Sequence, residues 1–430
     1  MFHVCGFLAV CRGERSKIAA CMKKKSLGII FLTVLIDLVG FGLILPLIPI
    51  YANSFKASGP IIAVIFTSYS LMQFVFAPLW GRLSDRIGRR PVLLTSTACA
   101  CVSYAIFAIG SGMESKALAL WVMLLSRIFA GICGANITVA QAYIADITPP
   151  EQRSARMGLV GMAFGLGFIL GPVLGGLSAK YFGLTGPGWT AATLCAINFI
   201  WATLILAESW QPAAHYQTQR AHLDQWMHIL RMPRMNLLIG IFFLATFCFS
   251  CFETSIGLLV EKNFHIAEQH GLDSVLGTIS WLIAYCGLIG AMVQGGLLRR
   301  LVKRMGEPKL IAASLFIAAI GIAVLPFLMS WAMLLPALAV FSIGSSLTRP
   351  PVFGMISMLT PAHEQGSTIG VAQGVGSLAR IAGPVFAIGI FGKDHLPIPY
   401  LCCAVLCFVT ACIATRYLSL PKPPAAPATP

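Results

Sequence analysis

The sequence predicts an all-α, polytopic membrane protein with 12 transmembrane helices arranged as two six-helix halves. Of its 430 residues, 57% are hydrophobic and only 10% are charged, whereas about 25% of the residues in a soluble domain carry charge. Apolar runs of about 20 residues recur along the chain, and a helix of that length crosses about 30 Å of hydrocarbon. We count twelve such segments, at residues 27–50, 61–80, 91–112, 117–142, 155–182, 188–208, 235–260, 274–298, 309–329, 332–358, 366–391 and 397–418.

An internal repeat supports the division into halves. Segments 5 and 11, with the turns before them, carry matching prolines and glycines at one offset of 212 residues: Pro149 and Pro361, Gly158 and Gly370, Gly171 and Gly383, Pro172 and Pro384. Transporters that work by alternating access are commonly built from such repeats. The predicted parts are an N-terminal cytoplasmic segment (1–26), a six-helix bundle (27–208), a cytoplasmic linker (209–234), a second bundle (235–418) and a disordered tail (419–430).

The distribution of basic residues predicts the orientation. Of the thirty Lys and Arg residues, twenty-two lie in the chain ends, the linker and the loops of one side, and five lie on the other side. Basic loops face the cytoplasm, so we expect both termini there and the protein in the cytoplasmic (inner) membrane. The net charge of +15 therefore needs no nucleic-acid partner. The flank MKKKSLGII suggests translation from Met22, which mass spectrometry of the native protein would test.

Several other functions find no support in the sequence. Eleven of the fourteen cysteines lie in apolar runs, where they act as small apolar side chains. Cys248 and Cys251 have CxxC spacing, but no histidine or second pair accompanies them in that run, so we expect no metal and no cofactor. The chain contains no HExxH, GxSxG or GxxxxGK[ST] motif, which disfavours an enzyme and direct ATP-driven transport.

Residues 81–91, GRLSDRIGRRP, hold five charged side chains between two apolar runs. A basic turn anchors helices at the cytoplasmic surface, but an anchor alone needs neither an aspartate nor two glycines. The stretch resembles, at every fixed position, the signature between helices 2 and 3 of the major facilitator superfamily. LLSRIFAGICGAN and GFILGPVLGG resemble its helix 4 signature and the helix 5 signature of its antiporters. IDLVGFGLILPLIPIY and YIADITPPEQR are similar to the tetracycline/proton antiporters in particular.

The resemblance implies roles for two groups of residues. In this superfamily the acid that matches Asp85 pairs with the cytoplasmic end of helix 11, which implies a conformational latch made by Gly81, Asp85, Arg86, Gly88, Arg89, Arg90, Asp146 and Arg153. A solvated anchor is the alternative. The antiporter motif corresponds to Gly167, Gly171, Pro172, Gly175 and Gly176.

Ionisable residues inside membrane helices are costly and commonly functional. Asp37 and Arg127 are predicted at similar depths in neighbouring helices, so we infer a proton-coupling acid beside a fixed cation, with a static structural pair as the alternative. Glu253 is a second candidate proton site, a contact for a cationic substrate, or a polar group at the cavity mouth. Arg380 either attracts an anionic or polar substrate or bonds to carbonyls near Pro384, and Arg349 receives no role.

Polar side chains in the apolar segments predict a substrate cavity lined by Asn136, Gln141, Gln373 and Arg380, with Tyr69 and Gln73 among further lining candidates. The tetracycline exporters carry an acid in helix 3 and a histidine in helix 8 where this chain has Ser103 and Gly290. Tetracycline is therefore not assigned as the substrate.

The predicted function is proton-coupled efflux of small amphipathic compounds by a monomer that binds the lipid bilayer, its substrate and protons. The alternatives are a non-drug metabolite exporter or facilitator and, from another class, a membrane sensor without transport.

Overall fold

The computed structural model describes residues 27–44, 59–210, 222–264, 272–390, 395 and 397–418. No strand occurs in these ranges, and the all-α prediction is confirmed. The helices are α1 (Leu27–Ile44), α2 (Gly59–Ile87), α3 (Arg89–Ser111), α4 (Lys116–Cys133), α5 (Asn136–Ile147), α6 (Pro150–Phe182), α7 (Gly186–Ile205), α8 (His222–Arg231), α9 (Met235–Phe264), α10 (Leu272–Met292), α11 (Leu298–Met305), α12 (Glu307–Val324), α13 (Trp331–Leu359), α14 (Gln365–Pro384) and α15 (Pro397–Tyr417).

Ten helical stretches in the described ranges are long and apolar enough to cross a membrane. One of them, Pro150–Ile205, has 56 residues and contains both α6 and α7, joined at Gly183–Thr185. The protein is therefore a multi-pass membrane protein. The count of twelve spans and the cytoplasmic position of both termini stay predictions.

The N-half (residues 27–210) and the C-half (residues 235–418) meet along two sets of helices. α2 packs against α14, and α6 packs against α10 and α13. A Cβ atom added to Gly158 of α6 would lie 2.5 Å from Leu298, and one added to Gly370 of α14 would lie 2.7 Å from the carbonyl oxygen of Ala77. Gly158 and Gly370 share the repeat offset, so the repeat places equivalent glycines where the halves touch.

Segment 4, predicted as one helix over residues 117–142, is instead two helices, α4 and α5, separated at Gly134 and Ala135. Side chains of neighbouring helices satisfy the backbone groups that the break frees. Ser96 Oγ donates to the Cys133 carbonyl (2.6 Å) and accepts from the Ala135 N–H (3.0 Å). Gln73 Nε2 donates to the Gly134 carbonyl (3.4 Å). A membrane helix tolerates a break that is satisfied in this way.

Segment 11, predicted over residues 366–391, changes at Pro384 from α14 into a π-helical turn, Val385–Ile390. Proline has no N–H, so the Arg380 carbonyl loses its helical donor, and Ser250 Oγ donates to that carbonyl instead (3.5 Å). Segment 8 likewise passes through a π-helical turn, Val293–Leu297, into α11.

The predicted linker, residues 209–234, contains the helix α8. The proposed start at Met22, the cytoplasmic segment 1–26 and the disordered tail 419–430 lie outside the described residues. We call the end of the bundle where α2 meets α3 at Gly88 the motif end; α6 and α14 begin at the same end. The motif end is the predicted cytoplasmic side.

Candidate functional site

The turn between α2 and α3 buries an arginine at the motif end. Gly88 has a φ of 101°, which glycine adopts without the steric cost that a Cβ atom brings. The next residue, Arg89, is 0% exposed. Its Nη1 donates to Asp85 (2.6 Å) and its Nε donates to Asp146 (2.9 Å). The buried cation is thus compensated by two carboxylates, as a charge in this environment requires.

Asp85 connects the N-half to the C-half. Its Oδ1 accepts a hydrogen bond from the Gly366 N–H (2.8 Å), and its Oδ2 accepts one from the Ser367 N–H (2.7 Å). These N–H groups lie in the first turn of α14, where they have no helical partner and carry the positive end of the helix dipole. Burial raises the pKa of Asp85, which lies beyond segment 61–80, while Arg89 and both amides oppose the rise.

Glycines allow α2 and α14 to approach this closely. A Cβ atom on Gly81 would collide with the carbonyl oxygen of Gly366. A Cβ atom on Gly366 would lie 2.6 Å from Ser84 Oγ, so neither position has room for a side chain. The two backbones therefore touch directly beside Asp85.

Arg90 and Arg86 make no hydrogen bond or ion pair to the described part of the C-half. Arg90 Nη2 donates to the Thr203 carbonyl in α7 (2.7 Å), which ties the turn to its own half. Arg86 is exposed at the end of α2. Among the described residues it makes no hydrogen bond or ion pair across the halves, so its predicted part in the latch is not seen in this conformation.

Glu208, after α7, completes the turn and was missed by the sequence analysis. Its Oε1 accepts from the Arg89 N–H (2.9 Å) and its Oε2 from the Arg90 N–H (3.0 Å). A carboxylate at the first N–H groups of a helix is favourable, so Glu208 stabilises the start of α3. The only sequence signal was an acid at the last position of segment 6.

Arg153, at the start of α6, makes a second connection between the halves. Its Nη1 donates to the Ser357 carbonyl near the end of α13 (2.8 Å). The adjacent Ser154 Oγ donates to Glu307 Oε1 at the start of α12 (3.0 Å). The motif end is therefore closed at two places, α2 with α14 and α6 with α12 and α13.

The predicted antiporter motif packs α6 against α1. Three of its glycines, four residues apart on one face, lie against α1: Gly167, Gly171 and Gly175. The backbones are closest where Gly171 meets Gly42, and neither glycine has room for a Cβ atom. Gly383, the repeat partner of Gly171, packs similarly on α9, where an added Cβ would lie 2.8 Å from Ser250. The motif thus fixes how α6 packs on the first helix of its half.

Two other motif residues do not take part in this contact. A Cβ atom added to Gly176 meets nothing within 4 Å, so close packing does not explain that glycine. Pro172 lies inside α6, where it removes one helical hydrogen bond. The structure offers no reason for a glycine at Gly176.

Several residues predicted to line a substrate cavity instead bond to one another across the halves. Gln373 Nε2 donates to Gln141 Oε1 (2.8 Å), and Arg380 Nη2 donates to Gln73 Oε1 (2.8 Å). Gln73 lies about 21 Å from the end of α2 at 1.5 Å per residue. Within the described ranges, no hydrogen bond between the halves lies farther from the motif end. The conformation is therefore closed at the motif end.

Asp37 and Arg127 do not form the expected ion pair: among the described residues, no salt bridge within 4.0 Å joins them. The Asn136 side chain lies beside Asp37, and Asn136 is the first residue of α5, directly after the break at Gly134 and Ala135. The Arg127 guanidinium lies 5.1 Å from the ring centre of Phe107. Its buried Nε and Nη2 have no hydrogen-bond partner in the described part of the chain. The pairing is corrected, and a role for either residue in proton coupling stays a prediction.

The linker helix α8 covers the motif end. Trp226 packs edge-on against Phe74 of the N-half, with ring centres 5.7 Å apart. Gln225 Nε2 donates to Ser367 Oγ of the C-half (3.4 Å). The predicted linker thus contains a helix that reaches the C-half at Ser367, beside Asp85, and the N-half at Phe74, about 16 Å along α2 from Asp85.

Two repeat-related halves that span a membrane and are bonded together at one end define a membrane transporter rather than an enzyme. The chain belongs to the Major Facilitator Superfamily, whose family model matches residues 30–384 and 276–430.

Among relatives, the chain is 32% identical to the tetracycline resistance protein, class E, of Escherichia coli, over 82% of this chain and 85% of that protein. It is 31% identical to the class C protein of Escherichia coli, over 87% of this chain and 91% of that protein. It is 28% identical to major facilitator superfamily domain-containing protein 10 of Bos taurus, over 91% and 92%. The predicted resemblance to tetracycline resistance proteins is confirmed.

Two solved structures share the fold. One is the human organic anion transporter MFSD10 (TETRAN), with a TM-score of 0.78, 23% identity and coverage of 91% of this chain and 99% of that one. The other is a bacterial homologue of the iron transporter ferroportin in an outward-facing state, with a TM-score of 0.71, 13% identity and coverage of 92% and 99%.

Proposed function

We propose that the protein is a proton-coupled efflux antiporter of small amphipathic compounds that works by alternating access. The observation that carries the proposal is the bond from the Asp85 carboxylate to the N–H groups of Gly366 and Ser367. It joins the halves through one charged group that can release the helix end without breaking either bundle. With the motif end at the cytoplasm, the present conformation is the one closed to the cytoplasm.

Proton coupling is assigned to Asp37, with Arg127 and Glu253 as further participants. Asp37 lies about 15 Å inside α1. An ionisable group at this depth is costly in free energy, and such groups usually mark functional sites. Thr97 Oγ1 donates to the Leu93 carbonyl (2.9 Å) and lies 3.5 Å from Asn136 Oδ1, and the Asn136 side chain lies beside Asp37. This neutral partner can bond to either protonation state, whereas an ion pair with Arg127 would hold Asp37 ionised.

The relatives named for tetracycline resistance support export of an amphipathic compound. Ser103 bonds to the Ser126 carbonyl (3.0 Å), which is a structural role where the tetracycline exporters carry an acid, so no drug is named. We further propose that the protein acts as a monomer in the cytoplasmic membrane.

The test is proton movement in inverted membrane vesicles loaded with a pH-sensitive dye and energised before a panel of compounds is added. We expect compound-dependent proton release with the wild type. Asp37→Asn keeps the size of the side chain but cannot titrate, so its signal should fall to that of vesicles without the protein.

The matched control is Asp224→Asn, which removes an exposed acid from α8 and should leave the signal unchanged. Transport of a compound without proton movement would show a facilitator instead. Unchanged coupling in Asp37→Asn would assign that residue a structural role.

A further inference from the structure

Three charged side chains converge in the C-half without touching. Glu253 of α9, Arg349 of α13 and Arg380 of α14 lie within electrostatic reach of one another. In the described ranges, no salt bridge within 4.0 Å joins Glu253 to either arginine. Each lies at least about 15 Å from the motif end of its helix at 1.5 Å per residue. α9 brings the group together, because Phe249 lies against Arg349 and the adjacent Ser250 bonds to the Arg380 carbonyl. The three charges are therefore neighbours that do not form a closed ion pair.

Arg349 is the least satisfied member of this group. Its guanidinium lies 5.1 Å from the ring centre of Phe249, and it makes no hydrogen bond to any described residue. A ring under the face of a guanidinium leaves the in-plane N–H donors unused. Those donors match the two oxygen atoms of a carboxylate or sulfonate.

Arg380 is held in place but its charge is not neutralised. Its Nη2 donates to Gln73 Oε1 (2.8 Å) and to Ser377 Oγ (2.9 Å), both of which are neutral. The structural task considered for Arg380 near Pro384 is performed by Ser250, which bonds to the Arg380 carbonyl. The guanidinium is therefore available to a ligand.

The charge balance and the surface beside the arginines define the ligand. Two arginines face one glutamate, which leaves one uncompensated positive charge where such a charge is costly. Phe249 stacks on Phe341 at 6.4 Å, and Phe252 lies 4.5 Å from Phe341, measured between ring centres. A ligand with an anionic group beside an aromatic ring would neutralise the positive charge and pack against the phenylalanine rings.

We propose that the substrate class of this transporter is the amphipathic aromatic anion, bound through a carboxylate or sulfonate between Arg349 and Arg380 with its apolar body on Phe249. The inference rests on the proposed transport function and names the substrate of the same cavity. Glu253 disfavours a second negative charge at this place, which selects monoanions. The ligand competes with Gln73 for Arg380, so its binding weakens the innermost bond between the halves.

The test is equilibrium binding to the purified full chain in detergent, measured by calorimetry with two probes of the same ring system. Naphthalenesulfonate is the anion and naphthylmethylammonium is the cation. We expect the wild type to bind the anion more tightly. Arg349→Gln, which retains hydrogen-bonding capacity without charge, should weaken binding of the anion by about tenfold or more, whereas binding of the cation should not weaken. The control Arg300→Gln removes an exposed arginine and should bind like the wild type.

Glu253→Gln should strengthen binding of the anion. A folding defect would weaken binding, so an increase in affinity cannot be caused by one. Preference for the cation, binding of neither probe, or equal binding of the anion by wild type and Arg349→Gln would overturn the proposal. The vesicle assay separates the two claims. Proton-coupled export of the cation alone would support the antiporter proposal and contradict the anion site. Anion binding without proton movement would support the anion site and contradict proton-coupled antiport.

Discussion

Replacing Asp85 with asparagine is expected to abolish most transport, because it removes the charged group that holds the motif end closed. An asparagine can accept from one of the two N–H groups of Gly366 and Ser367, but its own NH₂ group faces further donors. Arg89, which is 0% exposed, would keep only Asp146 as a charged partner. The loss of that ion pair is the same in both conformations, whereas the two hydrogen bonds from the Asp85 carboxylate to α14 join the halves only in the closed state. Losing charged hydrogen bonds costs about 1.5–3 kcal/mol, so the closed state should lose at least about tenfold in population.

The measurement is export rate together with labelling of a cysteine placed at position 367, which is buried in the closed state, in a cysteine-free background. Asp85→Asn should label faster than its parent and export at least about tenfold more slowly. Asp224→Asn is the control for the loss of one carboxylate. Wild-type export and labelling in Asp85→Asn would mean that the contact with α14 is a solvated anchor.

The second large effect is expected for Gly81→Val, which acts by shape rather than charge. The valine Cβ would collide with the carbonyl oxygen of Gly366, and backbone atoms on both sides cannot move aside cheaply. The motif end should then be unable to close, while each half keeps its own packing. We expect transport near background and permanent access to the motif end.

Gly240→Val is the matched control, since a Cβ added at Gly240 in α9 meets nothing within 4 Å. It should export at the wild-type rate. If Gly81→Val transports normally, α2 and α14 do not need to approach as closely during transport as they do here.

The fold was predictable because a membrane imposes a simple rule on sequence: each span needs about 20 apolar residues. The offset of the internal repeat also predicted that Gly158 and Gly370 are equivalent positions. In the structure both lie where the halves touch. The break at Gly134 was not predictable from hydropathy, because the apolar segment continues past it to residue 142. What permits the break is Ser96, a side chain on a different helix.

The candidate site was predictable only in part. The contact of Asp85 with Gly366 spans 281 residues and came from family resemblance, since no local pattern encodes it. Asp37 and Arg127 were matched by depth, but depth fixes position along the membrane normal and not the direction in which a side chain faces. Glu208 carries no signature, because an acid at the end of an apolar segment reads as an ordinary helix end.

The central claim is that closure at the motif end is one of two alternating states. The direct measurement is the pair of distances between spin labels in a cysteine-free background, one pair at positions 86 and 363 of the motif end and one at positions 116 and 331 of the opposite end. Changes of pH and added substrate should lengthen one distance while shortening the other, with two populations at each end. A single unchanging distance at both ends, or changes of the same sign, would contradict alternating access.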